Sequence, residues 1–97
     1  MFIAVARIDI HIPAAASLKD KRRVLQSVSK RVQNEFRVAV AEVDAQDQWG
    51  LAVIGLAAVS NHPGHAREVI DAAIRFVERT RLDADIGAVE VDVIQAF

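Results

Sequence analysis

From Ala4 to Ile12 every second residue is apolar (Ala4, Ala6, Ile8, Ile10, Ile12), while Arg7, Asp9 and His11 take alternate positions between them. A period of two held through FIAVARIDIHI predicts a β-strand with one buried face. A one-sided strand has to be covered by a second layer. The next segment supplies it. Pro13 ends the strand, and Leu18, Leu25, Val28, Val32 and Phe36 then recur at helical spacing. Ser17 and Asp20, three residues apart, resemble a capping box that satisfies early N–H donors and starts the helix there.

The period then returns to two. Arg37–Ala45 (RVAVAEVDA) and Trp49–Ser60 (WGLAVIGLAAVS) are rich in valine and small apolar residues and flank a polar turn, the pattern of a hairpin. Asn61, His62 and Pro63 carry helix-start signals, and Ala66, Val69, Ile70, Ala73, Ile74 and Val77 form a second apolar helical stripe. Val89, Val91 and Val93 alternate with Glu90 and Asp92 in a last strand. The order βαββαβ, with right-handed crossovers, predicts an α+β ferredoxin-like sandwich: a four-stranded antiparallel sheet in order 4-1-3-2, with two helices on one face. At 97 residues, 53% of them hydrophobic, the chain suits a single domain spanning residues 1–97. In this topology the loop before the first helix, the hairpin turn and the end of the second helix share one edge of the sheet. The chain termini and the start of the second helix lie at the other.

Charge is unevenly placed. The whole chain has a net charge of only −1, which gives no overall field toward nucleic acid or an anionic membrane. The first helix, however, holds Lys19, Lys21, Arg22, Arg23, Lys30 and Arg31 against Asp20 and Glu35, a net +4 that leaves the remainder at −5. At about 100° per residue, Lys19, Arg23, Gln26 and Lys30 share the face opposite the apolar stripe, with Arg22 at its flank. These cations stand near the positive end of the helix dipole. They are either a solvated charged face or an anion-binding ridge suited to phosphates. Lys21 differs, because it falls inside the apolar stripe and must snorkel or find a partner. Asp44 and Asp47, at the same edge, are its expected partners.

SLKDKRRVLQS, followed by FRVAVAEVDAQDQWGLAVIGLAAVSN, resembles the YlxP-like family, bacterial proteins grouped under domain of unknown function 503. The resemblance runs over nearly the whole chain. It implies a ferredoxin-like domain. Family genes often sit among those for transcription elongation and translation initiation, which implies a ribosomal RNA or ribosomal particle as partner. It carries over no catalytic residue. Gly50 stands where similar proteins often have a larger polar residue.

Other chemistries fit the residues less well. The absence of cysteine excludes disulfides and thiolate metal sites, and is compatible with the cytoplasmic location expected for a chain with no apolar run of membrane-spanning length. Glu42, Asp44 and Asp47 are oxygen ligands of the kind magnesium takes, yet neighbouring cations are the simpler partners, so neither a metal nor another cofactor is expected. His11 is separated from His62 and His65 by the length of the sheet. Neither Ser17 nor Ser60 has a base and orienting carboxylate, and PAAAS lacks the glycines and cations of a phosphate cradle. The outward positions of the first strand are not the aromatics on which an RNA-recognition motif stacks bases. A binding module rather than an enzyme is therefore expected, acting through Lys19, Arg22, Arg23 and Lys30. The strand Leu51–Ser60 is apolar on both faces, which points alternatively to a homodimer packed sheet to sheet. On that same face Arg7 is expected to pair with Glu90 and Asp92. Trp49, at the end of the hairpin turn, is expected to be a packing residue.

Overall fold

In the computed structural model, which describes residues 1–80 and 84–97, the alternating segment forms β1 (Phe2–His11) and the capped segment forms α1 (Leu18–Glu35). The hairpin is β2 (Ala39–Asp44) and β3 (Leu51–Ser60), followed by α2 (Pro63–Arg79) and β4 (Asp85–Gln95). All neighbours pair antiparallel, in the order β2-β3-β1-β4. The βαββαβ topology and its strand order are those the periodicities predict.

The core lies between the sheet and the helices. Ala4, Ala6, Ile8, Ile10 and Ile12 meet Ala52, Ile54, Leu56 and Ala58 on one sheet face, all buried. Leu25, Val28 and Val32 of α1 and Ala66, Ile70, Ala73, Ile74 and Val77 of α2 cover them. Small residues on β1 and α2 let that helix approach the sheet closely. Phe36 and Phe76 close the seam between the helices edge to face, with ring centroids 5.6 Å apart.

Helix α1 begins where Ser17 has extended backbone and its Oγ accepts a hydrogen bond from Asp20 N at 3.2 Å. Asp20 Oδ2 in turn accepts from Ala16 N at 3.0 Å, one residue earlier than a longer carboxylate would reach. Helix α2 starts differently, with Pro63 in its first turn and no side-chain cap from His62.

Two β-bulges bend the sheet. In β2 the pairing steps from Glu42 opposite Ile54 to Asp44 opposite Val53, leaving Val43 as an extra residue. In β4, Gly87 and Ala88 together oppose the single residue Asp9. An extra residue shifts the alternation of everything beyond it. The bulge in β2 consequently sends Glu42 toward the helices and Asp44 to the uncovered face.

Candidate functional site

The first two turns of α1 carry two arrangements, one facing the protein and one facing solvent. Facing inward is Lys21, 1% exposed and among the largest fully buried side chains. It occupies the helical position between Leu18 and Leu25 at which the core stripe requires a buried residue. Its ammonium donates to the carbonyl oxygens of Ala45 (2.8 Å), Gln46 (3.2 Å) and Leu51 (3.3 Å). Glu42 Oε2 lies 2.8 Å from the same nitrogen. Three carbonyls already engage the three N–H bonds of an ammonium, and Glu42 Oε2, itself enclosed, accepts no directed hydrogen bond. Glu42 is held by charge rather than by hydrogen-bond geometry.

This corrects the expected pairing of Lys21 with Asp44 or Asp47. The bulge at Val43 turns Asp44 to the opposite sheet face, where its Oδ2 accepts from Arg7 at 3.2 Å. Asp47 is exposed in the turn, and among the described residues no ion pair joins it to Lys21. Of the carbonyls that Lys21 engages, that of Ala45 also accepts from Gln48 N at 3.0 Å within the turn. Lys21 thereby clasps the hairpin turn to α1. Ala45 is held in this turn at φ 57°, a left-handed backbone unusual for alanine.

Facing outward are Lys19, Arg22, Arg23 and Lys30, all exposed. From Lys19 to Lys30 the ridge runs about 16 Å along the helix, at ~1.5 Å per residue. Asp20 and Glu35, the two acids of the helix, lie some 100° or more around the axis from Lys19. Among the described residues no carboxylate pairs with any of the four cations; the ion pairs are Arg7–Asp44, Lys21–Glu42 and Arg67–Asp71. At the helix start Ser17 Oγ caps Asp20 N and Asp20 Oδ2 accepts from Ala16 N, and the ridge side chains stand outside this cap.

The remaining expected features are placed as follows. Arg7 pairs with Asp44 across β3, not with Glu90 and Asp92 on β4, because the bulge at Val43 brings Asp44 onto the face of Arg7. Val43 lies over Gly55, where an added Cβ would meet its Cγ1 at 2.9 Å. Trp49 is 54% exposed, a surface residue rather than a packing one. Gly50 contributes its carbonyl to Ile12 N at 2.9 Å. His11 sits beside Asp85 at one end of the sheet, and His62 and His65 at the other. Glu42 and Asp44 fall on opposite faces and do not converge with Asp47; among the described residues no group of three or more acids and histidines is placed to hold a metal ion. Among the same residues no helix is long and apolar enough to cross a membrane.

Glu42 is the residue a reading of the strands misses. Gly55 was the available signal, since a glycine inside a strand marks a bulge or a close approach.

Residues 3–91 match the family described as "Protein of unknown function (DUF503)". The chain is also similar to the "Uncharacterized protein YlxP" of Bacillus subtilis (strain 168), with 36% identity over 76 residues, 78% of this chain and 83% of that one. The SLK-x-KR and VAEVD-x-QD-x-W segments, which here form the clasp and its hairpin, are thus carried on a chain that belongs to the DUF503 family.

Proposed function

We propose that this chain is a non-enzymatic binding module that docks on structured RNA or a ribosomal particle through Lys19, Arg22, Arg23 and Lys30. The observation that carries the reading is the ridge itself: four exposed cations on one side of α1, none paired with a described carboxylate, while the rest of the chain is acidic. A helix whose charges served only solubility would gain from alternating signs and i,i+4 pairs. Helix α2 has such a pair in Arg67 and Asp71, whose nitrogen and oxygen lie 3.0 Å apart. The ridge has none.

The clasp supports the same reading. By fixing the first turns of α1 against the hairpin, Lys21 holds the neighbouring Lys19, Arg22 and Arg23 in one orientation, so that fewer degrees of freedom are lost when phosphates bind. Phosphate contacts position a protein on nucleic acid without reading its sequence, so affinity for RNA structure rather than for a base motif is expected. The uncovered sheet face offers bases no stacking platform. It bears Asp9, Asp44, Glu90 and Asp92, and the outward positions of β1 and β3 hold no phenylalanine, tyrosine or tryptophan.

Co-sedimentation with ribosomal particles at low salt tests the proposal. Arg22→Glu combined with Arg23→Glu abolishes co-sedimentation and leaves the circular dichroism spectrum unchanged. Equal co-sedimentation of parent and double variant rules the ridge out.

A further inference from the structure

The uncovered sheet face is not flat. Strand register sets its outward side chains in rows that run across the sheet. One row is Ala39, Ala57, Val5 and Asp92. The next is Ala41, Gly55, Arg7 and Glu90. Toward β2 these rows consist only of alanine and glycine, and toward β4 they end in two carboxylates. Larger residues bound them: Val59, Ile3 and Ile94 on one side, Val53 with the bulged Val43 on the other. The result is a trough of about 660 Å³ that touches all four strands. Val43 closes over Gly55, so the open floor runs from there to Val59, four residues along β3 or roughly 14 Å at ~3.4 Å per residue, enough for a helix of ~10–12 Å diameter.

The sides of the trough are apolar and accessible: Val59 is 65% exposed, Val43 50% and Ile94 46%. Its charge is mainly negative. The outward strand positions carry Asp9, Asp44, Asp85, Glu90 and Asp92 against Arg7, a net −4, and Arg7 is already engaged by Asp44. Glu90 and Asp92 have no ion-pair partner among the described residues. A second copy packed sheet to sheet would set another net −4 against this face at the ~10 Å spacing of stacked sheets, and like charges so placed oppose association. Nucleic acid meets the same repulsion. An apolar stripe flanked by lysine and arginine meets none of it.

We propose that this trough docks a basic amphipathic helix of a partner protein, its apolar stripe over Ala41, Ala57 and Val5 and its cations against Glu90 and Asp92. The site lies on the sheet layer away from α1, and it is independent of the RNA-binding ridge. Helix-in-groove recognition of this kind draws affinity from the apolar stripe and orientation from the charges.

Fluorescence anisotropy tests it with two labelled 18-residue peptides, one with leucine at helical spacing and lysine elsewhere, the other identical but with glutamate for lysine. The lysine peptide binds saturably at one per chain and the glutamate peptide does not. Glu90→Lys with Asp92→Lys, both at exposed positions, weakens binding at least tenfold. Glu78→Lys, at an exposed acid on α2, leaves it unchanged, as does Arg22→Glu with Arg23→Glu. Equal weakening by Glu78→Lys overturns the proposal, because the attraction is then general. Equal binding of the glutamate peptide does so as well. A dimer in light scattering that Val59→Asp converts to monomer also overturns it, since the face then belongs to a second copy.

Discussion

Lys21→Met isolates the clasp. Methionine keeps an unbranched apolar stem in the stripe between Leu18 and Leu25 while removing the charge and all three donors. Four groups lose the ammonium: the carbonyls of Gln46 and Leu51, the carbonyl of Ala45, which keeps Gln48 N, and the carboxylate of Glu42. Hydrogen bonds to a charged group contribute roughly 1.5–3 kcal/mol each, and this gain is offset by the several kcal/mol needed to desolvate an ammonium. Removing one member of a fully buried pair nets about 3–5 kcal/mol of destabilisation, and with the Glu42 side chain 24% exposed the lower end of that range applies here. For a domain of this size ~1 kcal/mol corresponds to roughly 4–8 °C in Tm, so a fall of at least about 12 °C is expected. Urea unfolding and calorimetry measure it. Glu42→Gln alone costs about 1 kcal/mol, since the carbonyls still hold Lys21. Adding it to Lys21→Met recovers roughly 1–2 kcal/mol by removing the stranded carboxylate, within the range of coupling between residues in contact. A Lys21→Met protein within about 1 kcal/mol of the parent would refute the clasp.

Two further substitutions test the local geometry around it. Ala45→Gly relieves the left-handed backbone at φ 57° and is expected to stabilise by about 0.5–1 kcal/mol in urea unfolding, whereas a loss would show that the turn tolerates alanine without strain. Ser17→Ala removes the oxygen that accepts from Asp20 N and is expected to cost about 1 kcal/mol in the same assay; no change would mean that water serves Asp20 N equally well.

Much of this architecture is legible in the sequence because period and local chemistry agree. Ala4 to Ile12 alternate without a break, and the α1 stripe returns every three or four residues. Ser17 and Asp20 mark the helix start, and each element forms where its pattern says. Lys21 is legible too, since a lysine in the position of a core residue announces a buried partner. The partner itself is not. Counting alternation from Val40 through Asp44 puts Glu42 and Asp44 on one face, and the extra residue at Val43 breaks the count after Glu42. That bulge depends on Val43 closing over Gly55 from the neighbouring strand, a contact between residues twelve apart that no local propensity encodes. The same event frees Asp44 to take Arg7 away from Glu90 and Asp92. One unpaired residue therefore changes both ion pairs.

The ridge is tested by the salt dependence of RNA binding. Titration of a fluorescently labelled, structured ribosomal RNA fragment at several salt concentrations yields the slope of log K against log salt. Four phosphate contacts predict a slope of about −2.8 to −3.6, a roughly 7- to 12-fold loss for each doubling of salt. Removing two of the contacts with Arg22→Ala and Arg23→Ala should halve that slope. An unchanged slope in the double variant, or no binding by the parent even at low salt, would contradict the account.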